Sequence, residues 1–105
     1  MAVIFLFIDG VGIGNESAEN PFFSHSYESF QILSGENFFK NGKGFKNSSQ
    51  IYKAIDANLE VEGLPQSGTG QTTLFTGENA SKIIGKHFGP YPHSGIKHLL
   101  KEQSI

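Results

Sequence analysis

Two polar side chains in this sequence stand where an α/β protein could use them for chemistry. Asp9 directly follows the apolar run 2–8, and Ser67 lies inside the glycine-rich stretch 63–73. A carboxylate that follows a buried strand lies at the carboxyl edge of a sheet and can bind a divalent cation. A hydroxyl at a glycine-lined helix start lies beside backbone N–H groups that bind anions. Together, these residue types suit metal-assisted phosphoryl transfer.

Simpler roles exist for the same residues. Asp9 followed by Gly10 is a common turn pair, so its carboxylate could serve only to cap that turn. Ser67 and Thr69 could serve only as N-caps of the helix that follows them. A serine hydroxyl is also a weak nucleophile unless a base or a metal activates it. The structural and the catalytic interpretations of both residues therefore stay open at this point.

Three familiar glycine motifs do not fit these stretches. The Walker A loop needs a lysine after its second glycine, but Gly68 is followed by Thr69. The G-x-S-x-G elbow of serine hydrolases needs a glycine two positions before the nucleophile, where this chain has Pro65. The glycines that follow Asp9 lack the third member of a dinucleotide-binding fingerprint, because Asn15 occupies that position. The sequence therefore argues against a P-loop, a standard α/β-hydrolase and a Rossmann domain.

Composition narrows the classes of partner. The formal net charge is −2 and all eight basic residues are lysines, so a basic face for nucleic acid is not indicated. Without arginine there is no bidentate guanidinium clamp for phosphate, so phosphate binding would depend more on metal ions. Cysteine is absent, which excludes disulfides and thiolate metal sites. The apolar N-terminus is too short to span a membrane, so we expect a soluble, cytoplasmic protein that binds neither nucleic acid nor membrane.

The first half of the chain predicts a buried strand, a loop and a short helix. With 105 residues the chain is the size of one domain, and we expect a single domain over 1–105. The uninterrupted apolar run 2–8 is typical of a strand buried on both faces of a parallel sheet. Apolar spacing predicts a helix over 26–33, and the polar, glycine-containing stretch 34–49 predicts an exposed loop. The mixture of β-branched and polar residues over 51–57 predicts a second strand there.

The second half predicts three helices. Small hydroxyl residues favour a helix start near Thr69, and the helix over 69–75 should stop at Gly77. A second short helix over 80–84 should end at Gly85. Apolar residues at helical spacing, which are Ile96, Leu99 and Leu100, predict a last helix that reaches the end of the chain.

The histidines and the remaining lysines have weaker claims to a site. His87 lies in a turn-like stretch between glycines, and we expect it to contact substrate or a second chain. His93 and His98 are five residues apart and lack the i, i+4 spacing of helical metal ligands. Lys82 and Lys86 are predicted to share the solvated face of one short helix rather than to bind phosphate.

The strand ending Phe-Ile-Asp9-Gly10 and the long stretch from Gly63 to His87 together resemble the N-terminal part of metalloenzyme-domain proteins of the alkaline phosphatase superfamily. That superfamily includes cofactor-independent phosphoglycerate mutase and phosphopentomutase. The resemblance implies an α/β fold, with a partial sheet of that type and flanking helices. It also implies a phosphorylated small molecule as substrate and two divalent cations, zinc or manganese, as cofactors.

The resemblance assigns roles to individual residues. Asp9 is similar to the family's first metal-binding aspartate, and Ser67 is similar to its nucleophile, which in several members also ligates a metal. The residues that follow the nucleophile, Gly68, Thr69 and Gly70, would bind the phosphate through helix N-terminal amides.

The family's other Asp and His ligands have no counterpart here, and Asp9 and Ser67 cannot coordinate two cations alone. We therefore expect a truncated N-terminal portion of a metalloenzyme-type domain, weakly active or inactive by itself. A different class of function is a non-catalytic module that forms a homodimer or pairs with a separate C-terminal half through its uncovered apolar surface.

Overall fold

A computed structural model describes residues 1–34 and 44–105 of the protein, which contain α-helices and a two-stranded antiparallel sheet. The mixed α/β class is thereby confirmed in general terms. The chain divides into two compact units, Met1–Ile55 and Asp56–Ile105, called the first and the second unit below. Within the described ranges, no helix is long and apolar enough to cross a membrane.

The first unit begins its regular structure with two short helices, α1 (Pro21–Ser24) and α2 (Glu28–Ser34). The side chain of Asn20 caps α1 by accepting a hydrogen bond from the Phe22 N–H at 3.1 Å. Three aromatic rings of this region pack in tilted and edge-on pairs with centroids 5.1–6.1 Å apart: Phe22, Tyr27 and Phe30. The predicted helix over 26–33 is confirmed and corresponds to α2.

A small hairpin follows, formed by β1 (Phe45–Lys46) and β2 (Ile51–Tyr52). The ring of Phe45 faces the ring of Tyr52 across the strands, with centroids 5.7 Å apart. Asn47 closes the turn, because its Oδ1 accepts hydrogen bonds from the backbone N–H groups of residues 49 and 50. Burial raises the pKa of the Tyr52 hydroxyl above its ordinary value.

The hairpin corrects two predictions. The predicted strand over 51–57 stops at Tyr52, and a turn over 57–60 begins where the Asp56 carboxylate accepts a hydrogen bond from the Asn58 N–H at 2.9 Å. This local bond offers the backbone an alternative to strand pairing. Strand β1 lies inside the stretch 34–49 that was predicted to be a loop. Residues 35–43 of that stretch lie outside the described residues.

The prediction of a buried strand over 2–8 is wrong for this structure. These residues have no regular secondary structure, and all of them are exposed. Val3, Ile4 and Leu6 keep 80–92% of their accessible surface. A strand buried on both faces needs hydrogen-bonded neighbours and covering helices. In the described part of the first unit the only strands are β1 and β2, which pair with each other.

The second unit is helical. Its elements, in order, are α3 (Ser67–Thr76), α4 (Ala80–Ile84), a 3-10 turn (Ser94–Ile96) and α5 (Lys97–Gln103). The three predicted helices are confirmed, although α3 begins at Ser67 rather than near Thr69 and α5 ends at Gln103 rather than at the last residue. Two predicted stops are confirmed as well. Gly77 and Gly85 both take the left-handed conformation, with φ of 76° and 72°, that ends a helix.

The core of the second unit mixes apolar and hydroxyl side chains. Its buried apolar members are Ala80, Ile96 and Leu99. Helix α3 contributes the buried threonines Thr69 and Thr72 instead. The Thr72 hydroxyl donates to the carbonyl one turn earlier in the helix, at 2.7 Å, so its burial leaves no orphan donor.

Candidate functional site at the start of helix α3

Ser67 is the first residue of helix α3. Gln66 before it has the extended backbone of an N-cap, with φ −127° and ψ 146°, and its side chain makes no capping hydrogen bond. The structure therefore places Ser67 inside the helix rather than at the cap position considered from the sequence. Its side chain lies in a partly exposed position at the positive end of a ten-residue helix dipole.

The three residues after Ser67 differ in whether their backbone N–H groups are free to bind an anion. The Thr69 N–H donates to Phe88 O at 2.9 Å, and the Gly70 N–H donates to Gln66 O at 2.9 Å. Gly68 is buried. Two of the three amides predicted to bind phosphate thus already have protein acceptors, and the third belongs to a covered residue. Phosphate binding by these residues stays a prediction.

A second segment, residues 88–91, passes directly over the first turn of α3. A Cβ atom on Gly68 would lie 2.6 Å from Phe88 O and still closer to Tyr91 O, distances that no side chain tolerates. The Thr69 hydroxyl accepts a hydrogen bond from the Phe88 N–H at 3.3 Å. Gly68 therefore serves the close approach of two backbone segments of the protein. Gly70 differs, because the space where its Cβ would point is open.

The turn that precedes α3 is held by side chains that follow it. Leu59 and Glu60 have φ of 54° and 61°, a left-handed conformation that costs a non-glycine residue roughly 1 kcal/mol or more. Asn79 Nδ2 donates to Leu59 O at 2.8 Å, and Lys82 Nζ contacts Glu60 Oε2 at 2.6 Å. These contacts help to offset the strain of the turn.

His87 adds a third contact to this turn. Its Nε2 lies 3.0 Å from Val61 O, and its Nδ1 lies 3.3 Å from the hydroxyl of the fully buried Ser81. Since a carbonyl only accepts, Nε2 carries the hydrogen, and in the neutral ring Nδ1 accepts from Ser81. Both ring nitrogens are used inside the second unit. The prediction that His87 contacts substrate or a second chain stays untested.

An open groove of about 480 Å³ lies between residues 62–66 and 86–89, and is called the α3 groove below. Its lining includes Gln66 and Gly89, and a Cβ placed on Gly89 would lie 3.3 Å from the backbone nitrogen of Ser67. The groove therefore reaches the start of α3. Its charged lining residues are Glu62 and Lys86, neither of which was predicted from the sequence to belong to a site.

The two lysines predicted to share one helix face have separate environments. Lys82 lies in α4 and pairs with Glu60, whereas Lys86 follows the Gly85 stop and lines the α3 groove. The Lys86 ammonium lies 5.8 Å from the centroid of the Phe88 ring. Gly85 in the sequence was the available signal, because a helix that ends there cannot carry Lys86 on its face.

Asp9 lies in the first unit, in an exposed turn with Gly10, whose φ is 71°. The turn agrees with the simpler interpretation of Asp9 and does not test metal binding. Among residues 1–34 and 44–105, no three His, Asp or Glu side chains lie close enough to one another to hold a metal ion. Coordination of two cations by this chain stays a prediction.

Comparisons of this chain with protein-family models, with curated protein sequences and with solved structures give no significant match.

Proposed function

We propose that this chain carries the serine-bearing part of a phosphoryl-transfer site of the alkaline phosphatase type, on a partial sheet of that type with flanking helices. The Ser67 hydroxyl attacks the phosphorus of a phosphate ester of a small molecule. The bond from phosphorus to the ester oxygen breaks, a phosphoserine forms, and the hydroxyl proton ends on the released alcohol. Hydrolysis or a second transfer would then remove the phosphoryl group.

The observation that carries this proposal is the position of Ser67 as the first residue of the ten-residue helix α3. A dianionic phosphoryl group is favoured at the positive end of a helix dipole. The partly exposed position of Ser67 and the adjoining α3 groove leave space for a small ester.

Two residues of the chain are assigned as ligands of metal ions. Asp9 and Ser67 are the proposed ligands of divalent cations, zinc or manganese, and neither residue belongs to a described cluster of three or more metal-ligating groups. The remaining ligands would have to come from other residues or from another chain. We assign no step of the reaction to a cation, and we expect slow single turnover rather than efficient catalysis.

Mass spectrometry of the protein after incubation with p-nitrophenyl phosphate and Mn²⁺ or Zn²⁺ tests the proposal. We expect an acid-stable phosphoserine at position 67. It should be lost in Ser67→Ala and kept in Ser94→Ala, a matched change at an exposed serine of the same unit. Phosphorylation of several serines alike, or of none with either cation, would contradict the proposal.

A second candidate function is self-association or pairing with a separate C-terminal half, and one observation favours it. The first unit exposes an almost continuous apolar segment, residues 1–8, with Ile4 92% and Val3 85% exposed. Exposed apolar surface of this kind marks interaction sites. Strand-forming residues can also pair with a strand of another chain.

Sedimentation velocity at increasing concentration tests this second function. We expect a reversible dimer that weakens in Ile4→Lys, and no such change in Ile83→Lys, which alters a half-exposed isoleucine of the second unit. A monomer at all concentrations would contradict self-association. Pairing with a C-terminal half would then need that second chain in the same experiment.

A further inference from the structure

The α3 groove has walls that the fold holds in place. His87 links the two sides of the groove, because it lines one wall and its ring contacts O of Val61, the residue just before the other wall, at 3.0 Å. Phe88 is fixed as well, since its carbonyl accepts from the Thr69 N–H at 2.9 Å. A groove with anchored backbone needs little ordering when a ligand binds, which reduces the entropic cost of binding.

The groove carries opposite charges on different walls. Glu62 belongs to the segment 62–66 and Lys86 to the segment 86–89. Across residues 1–34 and 44–105, Lys82 forms an ion pair with Glu60, and neither Glu62 nor Lys86 has an ion-pair partner among these residues. Gln66 also lines the groove, and its side chain makes no capping hydrogen bond to α3. An acidic, a basic and an amide residue thus line the same groove.

We propose that the α3 groove binds a small dipolar molecule that carries an ammonium group and an anionic group, either phosphate or carboxylate. The Glu62 carboxylate takes the ammonium group, the Lys86 ammonium takes the anionic group, and the Gln66 amide donates to or accepts from the atoms between them. A ligand with only one charge pairs with the charged residue of one wall, and the charged residue of the other wall stays hydrated. The inference concerns binding alone and does not depend on phosphoryl transfer to Ser67.

The geometry also limits the strength of this binding. Both charged residues are exposed, and ion pairs between exposed groups contribute little in water. We therefore expect a dissociation constant on the order of 1 mM for a dipolar ligand. The preference over singly charged analogues is then the measurable signature.

The test is a titration of the ¹⁵N-labelled full chain, without added metal, followed by amide chemical shifts. O-phosphoethanolamine and β-alanine are the dipolar probes and separate phosphate from carboxylate as the anionic group. Ethyl phosphate and ethanolamine each supply one charge. We expect the dipolar probes to shift amides of residues 62–66 and 86–89 and to bind at least fivefold more tightly than either singly charged analogue. Equal binding of all four probes, or shifts elsewhere, would overturn the proposal.

Charge exchange makes the test specific to the two residues. Lys86→Glu and Glu62→Lys should each remove the preference for dipolar probes, and the double variant should restore it, because the ligand can bind in the reverse direction. Lys97→Glu and Glu78→Lys are matched controls at exposed positions outside the groove and should bind as the unaltered chain does. Loss of binding in the controls, or no rescue in the double variant, would contradict assignment to Glu62 and Lys86.

Discussion

The two units bury different kinds of residue in very different amounts. No described residue of the first unit is fully buried, although this unit contains the most apolar stretch of the chain, residues 1–8. The second unit buries Ile96 completely, together with the hydroxyl side chains of Thr69 and Ser81. Apolar character alone therefore does not decide which residues are covered in this molecule.

Packing partners explain the contrast. In the second unit, α3 packs against both α4 and α5, and small residues on α3 allow close approach of the neighbouring backbone. The hydroxyl groups of Thr72, Thr73 and Thr76 donate to carbonyl oxygens one turn earlier in α3, so burying Thr72 leaves no unpaired hydroxyl donor. An apolar segment such as 2–8 is covered only if other strands and helices are available to pack against it.

The largest expected effect comes from matched isoleucine truncations in the two units. Ile96→Ala removes a side chain with no solvent exposure and should lower the free energy of unfolding of the second unit by about 2–5 kcal/mol. Ile4→Ala alters a side chain that is 92% exposed and should change the free energy of unfolding of the first unit by no more than about 0.5 kcal/mol. Urea unfolding measures both changes, with NMR signals of residues 67–103 for Ile96→Ala and of residues 1–34 for Ile4→Ala.

Similar losses in these two variants would break the contrast between the units. That result would mean that residues 1–8 are covered in solution, for example in the dimer considered above. Repeating the Ile4→Ala measurement at low protein concentration would separate that cause from burial within one chain.

The next effect concerns two glycines of the same helix. Gly68→Ala forces a Cβ against backbone carbonyl oxygens and should destabilise the second unit by roughly 1–3 kcal/mol or more. Gly70→Ala points its Cβ into open space and should stabilise α3 by about 0.5–1 kcal/mol through higher helix propensity. Thermal unfolding by far-UV circular dichroism shows the sign of each change. Two changes of the same sign would be incompatible with residues 88–91 packing on Gly68.

His87→Gln should have a more local effect, confined to the turn that His87 contacts. The change disturbs the contact to Val61 O and deprives the buried Ser81 hydroxyl of its acceptor, at a cost of about 1–3 kcal/mol. We expect faster amide exchange at residues 59–63 than at the helix α5. His98→Gln, at an exposed position, is the control and should leave both regions unchanged. Uniform loss of protection would show that His87 supports the whole unit and not only the turn.

The sequence was sufficient to predict the helices of the second unit because their ends depend on local residues. Gly77 and Gly85 stop α3 and α4 where they were expected, since a left-handed residue is favourable there for glycine. The strand over 2–8 could not be judged in the same way. The apolar pattern indicates that these residues could be buried. Burial itself requires partner strands, which come from other parts of a fold.

Less of the candidate site could be predicted. The hydroxyl of Ser67 at a helix start follows from local sequence, and the structure agrees. The covering of Gly68 by residues 88–91, and the use of Val61 O by His87, depend on contacts between residues 20 or more positions apart. Lys86 belongs to the groove for the same reason, since the chain folds back after Gly85.

The smallest expected effect tests how much shielding the hairpin of the first unit supplies. Burial raises the pKa of Tyr52, so its hydroxyl should titrate above the ordinary value of about 10. Because the folded pKa is the higher one, stability from this group is complete below about pH 10 and is lost as the pH rises through the folded pKa. Difference absorbance of the phenolate, with Tyr52→Phe as the reference, isolates this titration. A midpoint at or below about 10 would mean that the Phe45 ring and the hairpin leave the Tyr52 hydroxyl as open to water as the segment 2–8. The contrast between the two units would then extend to every described part of the first unit.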